Sequence, residues 1–175
     1  MKYNKKPRQA VVLVDLIKKH NLKVGAELGV FKGETAFYLL DNVPWLELIG
    51  VDLWQEVSWG DKSDEGYFSY SEFNLNDLFF DVSKKADLYS NLTLLRKSTT
   101  DAATMIKDNS LDFVFIDADH TYEGVKQDIE AWFPKVRQGG FVTGHDIHMA
   151  GVKKAVTEIL GNYDERDNFV WITKK

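Results

Sequence analysis

Ala26-Glu27-Leu28-Gly29-Val30-Phe31-Lys32-Gly33-Glu34-Thr35 is the stretch that decides how this chain is read. An acid closes a short apolar strand that runs from Val24 to Leu28, a glycine follows two residues later, and a second glycine opens a helix from about Glu34 to Leu40. Glycine belongs where the backbone turns sharply and must let a ligand approach without a Cβ in the way. The helix start then offers free N–H groups. A dinucleotide fingerprint would read G-x-G-x-x-G, its middle glycine making room for a pyrophosphate. Here Phe31 takes that middle place, and Glu27 would sit against any phosphate. The pattern suits a cationic, phosphate-free ligand better.

Outward from that turn, short apolar runs alternate with helical patterns. Gln9 to Lys19 has helical spacing with a basic end. Leu48 to Val51 is a second strand ending at Asp52, Leu92 to Leu95 a third, and Phe113 to Ile116 a fourth ending at Asp117. Between the last two, Asp101 to Ile106 is expected to be a short helix, and Tyr122 to Phe133 a stronger one stopped by Pro134. Gly139-Gly140 is read as the turn into a fifth strand, Phe141 to Thr143, followed by a helix from Gly151 to Leu160 and a final strand from Phe169 to Thr173. Such alternation signals a parallel sheet covered on both faces. The expected fold is therefore α/β: a Rossmann-like, doubly wound, mostly parallel sheet in a single domain over residues 1–175.

One segment breaks this rhythm. Leu53 to Ser90 is far longer than an ordinary α/β connection and holds Trp54, Trp59, Tyr67, Phe68, Tyr70, Phe73, Phe79, Phe80 and Tyr89. It is either an extra helical layer whose aromatics fill local core or a cap over the site, since it leaves from the sheet edge where ligands bind. Within it, Asp61 to Glu72 mimics the spacing of a calcium loop, with Gly66 at the turn. Glu65 fits its position poorly, and chance is the better reading.

Composition narrows the classes. Of 175 residues, 44% are apolar and 28% charged, the balance of a globular chain. The net charge of −5 makes nucleic acid a poor first guess as partner, because phosphate binding calls for a basic excess. No apolar run reaches the roughly 20 residues a membrane span requires. The basic N-terminus precedes an apolar stretch broken by Asp15 and Lys18, which does not read as a signal peptide. Without cysteine there are no disulfides and no thiolate chemistry, so a cytoplasmic location is expected.

The remaining motifs carry chemistry. Asp52, at the tip of the strand beside the glycine turn, is placed to accept hydrogen bonds from ribose hydroxyls. Asp112 to Val125, with Ile116-Asp117-Ala118-Asp119-His120-Thr121-Tyr122 at its heart, is followed by Pro134-Lys135-Val136-Arg137-Gln138-Gly139-Gly140 and by Gly144-His145-Asp146. These three motifs, in this order, resemble the class I methyltransferases of the small "methyltransferase domain 24" type, and the resemblance spans Val24 to about Ile159. It implies that Glu27, Gly29, Phe31 and Gly33 wrap the methionine half of S-adenosylmethionine, that Asp52 holds the ribose with Leu53 beside it, and that Ser98 lies near the adenine edge. Asp117 would face the amino end and the transferring methyl group. Two departures stand out: Arg96-Lys97 replaces the Gly-Asp common in relatives, and one clear strand closes the chain where a hairpin of two is usual.

Methyl transfer requires mainly that a nucleophile be aligned with the methyl group. For a hydroxyl acceptor a base helps, and His145 with Asp146 is the first choice, His120 the second. Asp117 and Asp146 with a histidine could instead hold a divalent cation, an option disfavoured because Ile147 stands where a third oxygen donor would be expected. His20 and His148 read as surface residues. The expected activity is methyl transfer to a small-molecule acceptor, with oxygen as the expected target. A nicotinamide-dependent oxidoreductase and a non-catalytic S-adenosylmethionine-binding module are the alternatives. Acceptor identity and oligomeric state are not legible.

Overall fold

A computed structural model describes residues 6–55 and 72–175. Seven strands form one sheet: β1 (Val24–Leu28), β2 (Glu47–Asp52), β3 (Leu92–Arg96), β4 (Leu111–Ile116), β5 (Val136–Gly144), β6 (Asp164–Arg166) and β7 (Val170–Lys174). Their order across the sheet is β3-β2-β1-β4-β5-β7-β6. The first five run parallel, and β7 lies antiparallel to both β5 and β6. The chain order reverses at β1 and β4, and in open α/β sheets the crevice at such a point, beyond the strands' carboxyl ends, takes the ligand.

The continuous apolar run of β4 explains its central place. Phe113 and Phe115 face one side, where they join Leu13, Ile17 and Leu39 from helices α1 (Arg8–His20) and α2 (Glu34–Asn42). Val114 and Ile116 face the other, packing with Ile129 and Val156 from α5 (Tyr122–Trp132) and α6 (Ala150–Leu160). A strand buried on both faces has no polar side to alternate with.

Three boundaries depart from the sequence reading. The helix expected from Asp101 instead spans Thr99–Ala103 (α4), because Ser98 caps it by accepting from Asp101 N at 3.1 Å. Gly139-Gly140 does not turn into β5 but lies inside it, where the pairing with β4 slips its register and Gly139 takes a φ of +75°. The closing hairpin is complete, though its edge strand is only three residues long. Asp164-Glu165-Arg166 is wholly exposed, so no apolar pattern announced it, and short charged edges of this kind resist further pairing.

In the described part of the long connection, Asn74 caps α3 (Leu75–Ala86), accepting from Asn76 N and Asp77 N. Trp54 is buried, with Phe79 at 4.9 Å between ring centroids, and Val82, Val30 and Phe37 complete a small separate core. These aromatics fill local core. Trp59, Tyr67, Phe68, Tyr70 and the calcium-like spacing from Asp61 to Gly66 lie outside the described residues.

Candidate active site

The sheet brings the tips of β1, β2 and β4 side by side, with Glu27 in register with Gly50 on one side and Phe115 on the other. Gly29 takes a φ of +90°, and a Cβ there would lie 2.0 Å from the carbonyl oxygen of Asp117. Only glycine lets the β1–α2 turn run this close to the end of β4. Gly33, at a φ of +74°, then starts α2.

Glu27 is 2% exposed, and its Oε2 is buried without a hydrogen-bond partner among the described residues. Burial, followed by the fields of Asp117 and Asp52, raises its pKa well above the ordinary carboxylate range. A buried acid in this state gains from a positively charged or donating ligand.

Asp52 is partly committed to the fold. Its Oδ2 accepts from Phe31 N at 2.8 Å and its Oδ1 from Trp54 N at 2.7 Å, while Trp54 Nε1 donates to Phe31 O at 2.9 Å. These bonds lace the glycine turn to the tip of β2 and hold both Phe31 (φ 47°) and Trp54 (φ 42°) in left-handed conformations. Each carboxylate oxygen keeps a lone pair for another donor. Burial nevertheless raises the Asp52 pKa, outweighing the Trp54 and Phe31 amides and the nearby Arg96.

A cleft of about 230 Å³ opens between these tips and α5, and Gly29, Phe31, Asp52, Leu53 and Ser98 all line it. Glu27 and Gly33 shape the turn beneath without lining it. Asp128 of α5 also lines the cleft and went unnoticed in the sequence. Its signal was there: it shares the inward face of α5 with Val125, Ile129 and Trp132, where an acid is out of place. Arg96, the departure at the end of β3, donates to the carbonyls of Leu53 (3.4 Å) and Trp54 (3.0 Å) and so braces the β2 loop.

Beyond the Gly29–Ala118–Asp119 end of the cleft, four of the expected residues converge. His120 Nε2 lies 3.0 Å from Asp146 Oδ2 and 3.5 Å from Asp117 Oδ1, and His145 Nδ1 lies 3.2 and 3.6 Å from the same two oxygens. The His120 N–H does not aim at either carboxylate, so these are charge contacts without an aligned hydrogen bond. Burial alone would lower both histidine pKa values, but the two carboxylates outweigh it, raising His120 to about 9 and His145 to about 10. Asp146, although burial opposes it, is held well below the ordinary range by the two rings. The two carboxylates thus favour the protonated form of both rings, which differs from the neutral base expected from sequence. Asp117, His120 and Asp146 also each offer one ligand atom within 4.8 Å of the others, so the third donor comes from His120 and not from position 147, where Ile147 is buried in the core. His148 is half exposed, 3.7 Å from Asp146 Oδ1, and His20 rests against the Phe141 ring. No helix among the described residues is long and apolar enough to cross a membrane.

The sequence model of the family described as "Methyltransferase domain" matches residues 26–147. An uncharacterized protein of Sinorhizobium fredii, y4gI, is 34% identical over 101 residues, 57% of this chain and only 10% of that protein. Among solved structures, a Staphylococcus aureus protein assigned as a caffeoyl-CoA O-methyltransferase superposes with a TM-score of 0.70 at 14% identity, covering 98% of this chain and 84% of that one. The O-methyltransferase from Bacillus cereus in complex with SAH gives a TM-score of 0.66 at 15% identity, covering 100% and 84%. At these identities the structures speak to the fold.

Proposed function

Since the chain belongs to the class I methyltransferase family whose signature occupies residues 26–147, we propose that it transfers a methyl group from S-adenosylmethionine to the oxygen of a small-molecule acceptor. The observation that carries this reading is the orphaned, buried Glu27 at the tip of β1, directly beneath the cleft that Gly29, Phe31 and Asp52 line. Three acids, Glu27, Asp52 and Asp117, stand together at the tips of β1, β2 and β4, near enough that the latter two raise the Glu27 pKa. That arrangement favours a ligand carrying a sulfonium and an ammonium. When bound, the cofactor supplies an electrophilic methyl carbon.

This chain's residues then have separable tasks. Asp52 accepts from the ribose hydroxyls, with Leu53 against the sugar and Ser98 toward the purine. Glu27 and Asp117 balance the positive end. The acceptor lies beside Asp117, His120, His145 and Asp146, where alignment of its hydroxyl oxygen with the methyl group lowers the barrier. Proton removal falls to His145, with His120 as the second choice, in whichever form of the site leaves the ring neutral.

The donor set of Asp117, His120 and Asp146 also fits a divalent cation, which would polarise an acceptor oxygen. A cation held by these three residues would offset the carboxylates that favour a proton on His145, which is outside the donor set, and so leave His145 to act as base.

Calorimetry with S-adenosylmethionine and S-adenosylhomocysteine tests the cofactor reading, and heat with both is expected. Turnover against a panel of phenols and other hydroxylated acceptors, with magnesium or with a chelator, tests the rest. Absence of binding to either nucleoside would refute the proposal. The nicotinamide alternative predicts heat with NAD instead.

A further inference from the structure

The cleft is lined by a carboxyl with a single hydrogen-bond partner among the described residues. Asp128 is 3% exposed on the apolar face of α5 and lines the cavity. Among the described residues its hydrogen-bond partner is the Thr99 hydroxyl, which donates to Oδ1. The charge that faces it is another acid, Asp119, and burial together with that neighbour raises its pKa to about 7. Asp119 is itself engaged, accepting from Thr121 N at 2.8 Å and from Thr121 Oγ1 at 2.9 Å, so it closes the start of α5. A buried carboxyl with one partner weakens a fold unless something else donates to it.

We infer that Asp128 is the specificity-determining residue for the nucleobase, accepting a hydrogen bond from the exocyclic amine of adenine at the inner end of the cleft. This rests on the cofactor reading above. In the loop after β3, Ser98 lies toward the purine, but its Oγ is already engaged at the start of α4, accepting from Asp101 N at 3.1 Å. Arg96 is spent on the Leu53 and Trp54 carbonyls, Lys97 presents a cation, and the Thr99 hydroxyl is turned toward Asp128. Gln127 also lines the cleft but is exposed, so water competes for it. In either protonation state Asp128 keeps an oxygen that can accept, and when neutral its O–H can donate to the adjacent ring nitrogen. Adenine presents that donor–acceptor pair. Hypoxanthine has a carbonyl oxygen in place of the amine, so above pH 7, where Asp128 is ionised, it sets oxygen against oxygen, and the comparison is made at pH 8.

The test compares S-adenosylhomocysteine with S-inosylhomocysteine by titration calorimetry on the wild type, Asp128→Ala and Asp128→Asn, with melting temperatures as a folding control. The wild type should prefer the adenosyl compound by about 100-fold, since a mispaired buried polar edge forfeits a bond and adds a desolvation cost. Asp128→Ala should bind the adenosyl compound about tenfold more weakly and lose most of the preference. Asp128→Asn, which keeps an acceptor and a donor, should hold adenosyl affinity within about threefold while relaxing discrimination. An unchanged preference in Asp128→Ala, or equal weakening toward both compounds, overturns this inference alone. A wild type that binds neither overturns the cofactor reading as well.

Discussion

Replacing Asp128 by Asn should change how stability depends on pH, apart from any ligand. The folded carboxyl has a pKa of about 7 against an ordinary aspartate value of 3.8. A folded pKa raised above the unfolded one means the group leaves stability intact below about pH 4, where both states hold the proton. As pH rises toward 7 the unfolded chain releases its proton first, and stability falls by up to about 1.4 kcal/mol per pH unit. Above pH 7 both states are ionised and the loss levels off. Between pH 5 and pH 8 the wild type should therefore lose about 3 kcal/mol through this one group, from a total near 4. Asn keeps the shape and the Thr99 contact and does not titrate, so the variant should gain on the wild type across that interval. Urea denaturation of both proteins at half-unit steps, without ligand, measures the difference directly and cancels the other acids. For a chain of this size the gap at pH 8 should raise the midpoint temperature by about 10 °C. A difference that stays constant from pH 5 to pH 8 would mean that Asp128 is solvated or paired in solution, and the burial argument would fail.

Three further outcomes follow from the site. Asp52→Ala should weaken S-adenosylhomocysteine about 100-fold in calorimetry, because hydrogen bonds to a charged acceptor contribute about 1.5–3 kcal/mol each; an unchanged Kd would remove the ribose from this strand tip. Glu27→Gln should weaken S-adenosylmethionine about tenfold while altering S-adenosylhomocysteine less, since only the former carries the sulfonium charge; equal effects would show that the acid does not sense that charge. Gly29→Ala should cost about 3 kcal/mol in urea unfolding, as the new Cβ meets the Asp117 carbonyl oxygen at a backbone angle that L residues rarely adopt; a neutral result would mean the β1 and β4 tips stand further apart than described.

The local pattern of the chain determined much of this. Continuous apolar runs ending in Glu27-x-Gly29, Asp52 and Asp117 identify parallel strands and the edge where they present acids, because burial on both faces leaves polar groups room only at the tips. The same logic brought His120, His145 and Asp146 to one end of the sheet, since each directly follows β4 or β5. Tertiary structure alone decided the rest. Whether the histidines carry protons depends in part on a carboxylate that follows the neighbouring strand, Asp146 at 3.0 Å from His120 and Asp117 at 3.6 Å from His145, distances sequence does not encode. Asp128 reaches the cleft because α5 packs its inward face beside Thr99, some 29 residues earlier in the chain. The register slip at Gly139 and the exposed strand at Asp164 likewise follow from pairing partners, not from their own residues. Periodicity reports which side of an element is buried, but what lies on that side, and so the charge state of anything placed there, is set only once the elements meet.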